Sequence, residues 1–456
     1  MEYKKHNKFL KIGLFAGLVT LIFIVLIAAI MPRFRISNLT ANSSEIEAGQ
    51  PIEIFLTVSN DGYFRGACTV FMKIDEKIEM SKEVTLGGGQ SETVSFNLVK
   101  YVAGTYTLEI DGYSQILTVN PREKTTPEIP SYQPHTFELK PAATATHGTG
   151  YSFTIETSRT EFYDFSRGYV KIWFINRDNN DLFVYKYGSQ PEWMPRDVWF
   201  SSDTGITIRS NERKYIGMTS IKVDSDIDSF SVKYGFSLMA KTAEKWYDYG
   251  TVFMDPKTIQ VNPVIEETHQ EYVTNEFISK KANDLVDSTD PTVREVALEI
   301  AGRYPGDYNV YQLCALFDYV SENIRYVSEP PGTDYWAKPS ETLALSAGDC
   351  EDQAILLVSL IEAIGGTTRL YTTENHMFAA VYIGTENFTN SIVDAIENYY
   401  NTPLTLHYLI DGDDVWLLLE PTGGFYAGSL PVGAKPTETS WSFENVRIIT
   451  VVDVTR

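Results

Sequence analysis

Cysteine is nearly absent from this chain: its 456 residues contain three, Cys68, Cys314 and Cys350. An odd count this small leaves at least one thiol unpaired and excludes a fold stapled by disulfides. Positive charge is also short. Lys and Arg number 38 against 60 Asp and Glu, a formal net charge of -22. Six of those basic residues precede position 36, so the bulk of the chain is more acidic still and repels phosphate backbones. A nucleic acid partner is excluded on that ground. Long apolar runs are missing, with one exception. Ile12 to Met31 carries no charged residue, and at about 1.5 Å per residue it covers the roughly 30 Å hydrocarbon core of a bilayer. The apolar part of a cleavable signal is shorter, about 7–15 residues. Lys4, Lys5, Lys8 and Lys11 precede the run and only Arg33 and Arg35 closely follow it. That bias places the N-terminus in the cytoplasm and everything after Met31 outside. A single-pass plasma-membrane protein is expected, with its cytoplasmic tip and anchor over 1–34.

Hydrophobic residues at 43% and aromatics at 13% are enough for packed cores, and the length asks for several domains. From Arg35 the apolar period is two: Ile52, Ile54, Leu56, Val58; then Val94, Phe96, Leu98; then Tyr106, Leu108, Ile110. Such alternation marks half-buried strands. The turn signals Asn60-Asp61-Gly62, Gly87-Gly88-Gly89 and Asp111-Gly112 fall at the spacing of a β-sandwich, expected over 35–121. The runs Glu47-Ala48-Gly49-Gln50, Val58-Ser59-Asn60-Asp61-Gly62 and Gly104-Thr105-Tyr106 make this part resemble the cell-adhesion-related sandwich domains of bacteria and archaea. Pro127, Pro130 and Pro134 predict a semi-extended linker over 122–134. Alternation at Val170, Ile172, Phe174 and at Val232, Tyr234, Phe236, Leu238 predicts a second Ig-like sandwich over 135–263. After His269 the period becomes helical, with stripes at Tyr311 to Ile324 and Asp349 to Ile364. A C-terminal α+β domain is therefore expected over 264–456, with 386–403 inserted between strands as a surface helix. The fold class is thus a transmembrane helix, two β-sandwich domains and a C-terminal α+β domain.

The three thiols differ in setting. Cys68 shares an alternating face with Val70, Met72 and Ile74, and Cys314 lies in the helical stripe Val310, Leu313, Leu316, Phe317, Val320. Both read as small buried hydrophobes. Cys350 instead opens a helix, in Gly348-Asp349-Cys350-Glu351-Asp352-Gln353-Ala354. The unpaired N–H groups and positive end of the helix dipole favour a thiolate and an oxyanion there. Asp349, Glu351 and Asp352 act against the thiolate unless their side chains face elsewhere. A nucleophilic thiol needs a base, and that base needs an orienting group. His376 begins the strand after the helix. Glu420 ends a following strand, before Pro421-Thr422.

Taken together, Trp336-Ala337-Lys338-Pro339-Ser340-Glu341-Thr342-Leu343, Gly348-Asp349-Cys350-Glu351-Asp352, His376-Met377-Phe378 and Leu419-Glu420-Pro421-Thr422 resemble the transglutaminase-like superfamily. The resemblance covers roughly 274–431 and implies a papain-like thiol fold with Cys350 as nucleophile, His376 as base and Glu420 as the third member. Many members carry Asp there, which leaves Asp413 or Asp414 as substitutes. The stretch is also similar to bacterial transglutaminase-like cysteine peptidases, some of which hold calcium through acids flanking the nucleophile. Asp349 and Glu351 occupy the matching positions. Two carboxylates are too few for calcium, which takes six to eight oxygens, and helix-start residues are the plainer reading. The expected function is extracytoplasmic amide cleavage or acyl transfer on protein or cell-envelope peptides, with hydrolysis favoured. An inactive envelope-binding scaffold is the alternative.

Overall fold

The structure is a computed structural model describing residues 31–144, 148, 150–329, 335–386 and 389–455. The anchor expected over 12–31 lies, apart from Met31, outside the described residues. Among the described residues no helix is long and apolar enough to cross a membrane. The chain divides into two units, one running to Glu123 and the other from Lys124 to Val454.

The first unit is all strand between Phe34 and Asn120. Its alternating sequences bury one face each. Ile52, Ile54, Leu56 and Val58 of the strand Pro51–Asn60 are buried while the residues between them are not. Strands Phe34–Ala41, Pro51–Asn60 and Ser91–Val99 form a three-stranded sheet, and five further strands form a second. Both contribute to one apolar core, in which Ile54, Phe96, Met72 and Leu117 take part. Cys68 is only half-buried at the border of this core, not within it, and Cys314 is fully buried elsewhere.

The second unit begins with strands between Phe153 and Asn262, again in two sheets over a shared core that includes Val170, Phe174, Phe230 and Phe236. One sheet has the order Arg213–Lys222, Arg167–Asn176, Phe153–Arg159. Its Tyr169 and Met218 belong instead to the core of the C-terminal region, so this sheet presses one face against the helices.

The C-terminal region is built on a six-stranded sheet ordered Glu271–Thr274, Ile448–Asp453, Thr368–Thr372, Met377–Thr385, Asp414–Leu419, Tyr408–Asp411. Helix starts follow from capping chemistry. Asn275, Asp290 and Asn309 each accept backbone N–H groups of the first turn of Glu276–Leu285, Pro291–Ala301 and Val310–Asn323, satisfying donors the helix itself leaves open. The helix Cys350–Ala363 is buried continuously from Asp352 to Glu362. A helix apolar all round belongs inside. It lies against Met377–Thr385 and Thr368–Thr372 on one side and three helices on the other. Gly365, at φ 97°, ends it in a conformation that side chains disfavour.

Two expectations change. The segment 122–134 has little regular structure but is not a free spacer. Lys124 pairs with Asp414, Glu128 exchanges backbone hydrogen bonds with Tyr308 and Val310, and Tyr132 donates to Pro305 O at 3.0 Å. The helix Thr389–Tyr400 is no surface insertion: Ile392, Ala395, Ile396, Tyr399 and Tyr400 are buried. Its periodicity is amphipathic, and the apolar stripe packs on Val310–Asn323. There Tyr399 and Tyr400 donate to the two carboxylate oxygens of Asp318 at 3.0 and 2.9 Å, and Tyr400 accepts from Ala427 N at 3.0 Å. Burial pushes the Asp318 carboxyl up to about 7 despite nearby Lys171. Tyr400→Phe leaves a buried carboxylate oxygen and an amide short of a partner, and should cost about 1–3 kcal/mol. Urea unfolding midpoints would show it, and an unchanged midpoint would contradict this role.

Candidate active site

The helix Cys350–Ala363 starts where it does because Asp349 and Asp352 cap each other. Asp349 accepts from Asp352 N and Asp352 Oδ2 accepts from Asp349 N, each at 3.4 Å. Asp352 Oδ1 also accepts from Ala337 N at 2.7 Å. This reciprocal arrangement is a capping box. Gly348 makes room for it, since a Cβ there would lie 2.6 Å from Asp352 Cβ. The preceding residues Ala347–Gly348 pair in parallel with Arg325–Tyr326, which fixes the approach of the chain. Cys350 is therefore the first helical residue. The first N–H groups of a helix lack intrahelical acceptors.

Cys350 is 7% exposed. Its thiol donates to Glu351 Oε2 at 2.9 Å and accepts from the backbone N–H of Met377. That second contact sets the sulfur at the entrance of the strand Met377–Thr385, one residue from His376. Burial, and then the Glu351 carboxylate, push the thiol up to about 12. Both keep the proton on sulfur near neutral pH. Of the flanking acids, Glu351 does not face away from the sulfur.

His376 closes a tight turn in which Thr373 N donates to His376 O at 2.8 Å. Its ring stacks near Phe378, centroids 6.1 Å apart. Nε2 lies 2.5 Å from Glu420 Oε2. With the N–H on Nε2 donating to the carboxylate, Nδ1 is the proton-accepting nitrogen. Among the described residues, His376 makes no hydrogen bond to the sulfur; the thiol is turned to Glu351 instead. Unbound active sites commonly show such unmade catalytic contacts.

Glu420 is fully buried. It follows the strand Asp414–Leu419, which pairs with Met377–Thr385 so that Leu419 faces Ala379. The carboxylate is saturated: Oε1 accepts from Thr422 N at 2.9 Å and Thr422 Oγ1 at 2.5 Å, and Oε2 from Val432 N at 2.9 Å as well as from His376. Burial alone would raise this carboxyl; His376, Thr422 and Val432 overcome it and hold Glu420 below the usual range. Asp414 sits at the other end of the same strand, ion-paired with Lys124, with Asp413 in the turn before it. At about 3.3 Å per residue neither reaches His376.

Asp349 and Glu351, the pair named as calcium ligands, each have a partner within the protein. Among the described residues no group of three or more His, Cys, Asp or Glu is arranged to hold a metal. Asp349 is spent on the cap and Glu351 on the thiol. Burial first, with Glu351 and Asp352 beside it, raises the Asp349 carboxyl to about 7. Sequence reasoning missed Val432, and it met Thr422 and Ala337 only as motif residues without their roles as hydrogen-bond donors. The Asp-x-x-Asp spacing of the capping box was visible in the sequence; the amides of Val432 and Ala337 carry no side-chain signal.

Residues 294–400 match the family model described as the transglutaminase-like superfamily, a stretch that includes Cys350 and His376 but stops short of Glu420. Curated proteins return no match to the chain. Among solved structures, a β-glucosidase from Listeria innocua in complex with glucose is similar at 15% identity and TM-score 0.18 over 20% of this chain and 16% of that one. The same enzyme in complex with gluconolactone gives 16% identity and 0.18 with the same coverage. Red sea bream transglutaminase is similar at 8% identity and TM-score 0.17, over 51% of this chain and 31% of that one. The chain thus spans a third or less of each of these structures. Likeness at this level carries no functional argument.

Replacing Glu351 removes both an acceptor for the thiol proton and a negative charge, while the burial contribution stays. The thiol of Glu351→Gln should therefore titrate below that of the parent, and each unit lost raises the thiolate fraction at pH 8 about tenfold. The pH midpoint of Cys350 alkylation by iodoacetamide reads this directly. A midpoint unchanged or moved upward would contradict the assigned cause.

Proposed function

We propose that this chain, whose residues 294–400 belong to the transglutaminase-like superfamily, is a cysteine-dependent amide-cleaving enzyme held at the outer face of a plasma membrane by its N-terminal apolar run. Members of that superfamily typically carry out acyl transfer or hydrolysis through a cysteine. Cys350 is the nucleophile, His376 the base and Glu420 the residue that holds the imidazole. The observation that carries the reading is the buried 2.5 Å contact of His376 with Glu420, one residue from the amide that hydrogen-bonds to the Cys350 sulfur.

In this reading the thiol leaves Glu351 and passes its proton to His376 Nδ1. The sulfur attacks the substrate carbonyl, and unpaired N–H groups at the head of the helix Cys350–Ala363 receive the oxyanion. His376 then gives its proton to the leaving amine, and the C–N bond breaks to leave a thioester on Cys350. Glu420, ionised and already hydrogen-bonded, stabilises the transient imidazolium without rearrangement. Water, deprotonated by His376, releases the acid. Hydrolysis is assigned over transfer to a second amine on the resemblance to membrane-tethered bacterial peptidases. The β regions over 35–121 and 135–263 serve as Ig-like modules that present this domain to protein or peptide substrates of the envelope. A second reading, an inactive scaffold, is favoured by one observation: the thiol proton engages Glu351 and not the base.

Profiling the protein against envelope proteins and peptides separates the two. Cys350→Ala should abolish every product, and Glu420→Gln, which keeps the volume of a fully buried side chain, should lower kcat by roughly 10²–10⁴ with the fold retained. Products unchanged in Cys350→Ala would remove this thiol from the chemistry.

A further inference from the structure

A cavity of about 670 Å3 opens between the three-stranded sheet of the second unit and the C-terminal region, a size common for sites that take a ligand or a short chain segment. Cys350 does not line it. Its wall on one side includes Gly423, Gly424 and Val432, and Val432 is the residue whose N–H holds Glu420.

On the other side, three cations gather in a chain of net charge -22. Arg167 opens the central strand of the sheet and stands directly opposite Lys222 in register, while Arg159 closes the neighbouring strand. All three line the cavity. Like charges facing each other across a ladder are unfavourable, and the neighbours relieve them only in part. Arg167 donates to Ser220 Oγ at 3.1 Å, and Lys222 pairs with Asp224 at 2.7 Å where both are largely exposed. The acids that line the same space, Glu161 and Glu438, are exposed, and Glu161 already accepts from the Tyr163 hydroxyl.

A second, independent observation points to an occupant. Ser429 lines the cavity, is 6% exposed, and its Oγ is buried with no hydrogen-bond partner among the described residues. Buried hydroxyls are rarely left so. Close by, Gly423 is exposed, Gly424 donates its N–H to Glu420 O at 2.9 Å, and Phe425 and Trp441 offer ring surface.

We propose that this cavity binds an extended peptide segment carrying carboxylate side chains. Arg159, Arg167 and Lys222 take the carboxylates, the Ser429 hydroxyl donates to a peptide carbonyl, and the rings cover the apolar part of the segment. An isolated hydroxyl beside ring faces suits an amide flanked by apolar groups, which is why a peptide is preferred to an anionic sugar polymer. The bound segment would lie one loop away from Glu420. The inference needs no turnover and stands apart from the catalytic reading.

The test is fluorescence anisotropy on the full chain bearing Cys350→Ala, with a labelled twelve-residue peptide of alternating Glu and Ala and its Gln counterpart. The Glu peptide should bind at least tenfold more tightly than the Gln peptide and weaken with salt. The double variant Arg159→Gln/Lys222→Gln, at two exposed positions, should lose that preference, and so should Ser429→Val lose affinity for both peptides. Equal binding of the two peptides, a preference surviving the double variant, or binding of polygalacturonate in place of either peptide would overturn the proposal.

Discussion

A carboxylate sealed from water is the constraint around which the site is arranged. Glu420 is fully buried, and an isolated buried charge is too costly to keep. It stays ionised because four donors converge on its two oxygens: the Thr422 amide and hydroxyl, the Val432 amide and the His376 ring. Each donor fixes something. Thr422 and Val432 hold the chain that follows the strand Asp414–Leu419, and His376 is held in the tautomer that leaves Nδ1 to accept protons. Removing the carboxylate would orphan all of them at once, so the loop, the base and the charge are one arrangement and not three.

The thiol is governed by the opposite balance. At the head of a buried helix, Cys350 receives an N–H from Met377, yet desolvation and Glu351 outweigh it and the proton stays on sulfur. In this structure Glu351 accepts the hydrogen bond of the thiol proton, and the proposed mechanism requires that proton to pass to His376. Neighbouring carboxyls at Asp349 and Asp352 are themselves raised, burial being the first cause, Asp349 to about 7.

What could be read in the sequence was what side chains announce. Period-two runs marked the strands at Pro51–Asn60 and Ser229–Thr242, and the Gly-Asp-Cys start marked the helix Cys350–Ala363. Helix Thr389–Tyr400 was legible as a helix but not as core, because its place depends on Asp318, more than seventy residues away, accepting from Tyr399 and Tyr400. The segment 122–134 looked like a spacer because proline and polar residues say nothing about partners; its ties run through backbone atoms of Tyr308 and Val310. The same blindness hid Met377, Val432 and Ala337, whose contributions to the site are amides. Glu351 was visible as an acid beside the thiol, but only the side-chain direction shows that it holds the proton.

The most direct measurement is the second-order rate of Cys350 modification by iodoacetamide at pH 7, compared between the parent protein and His376→Ala. If the imidazole held by Glu420 serves the sulfur, the parent reacts at least about tenfold faster, as expected when a neighbouring base supplies the reactive thiolate. Equal rates in the two proteins would show that His376 does not act on this thiol.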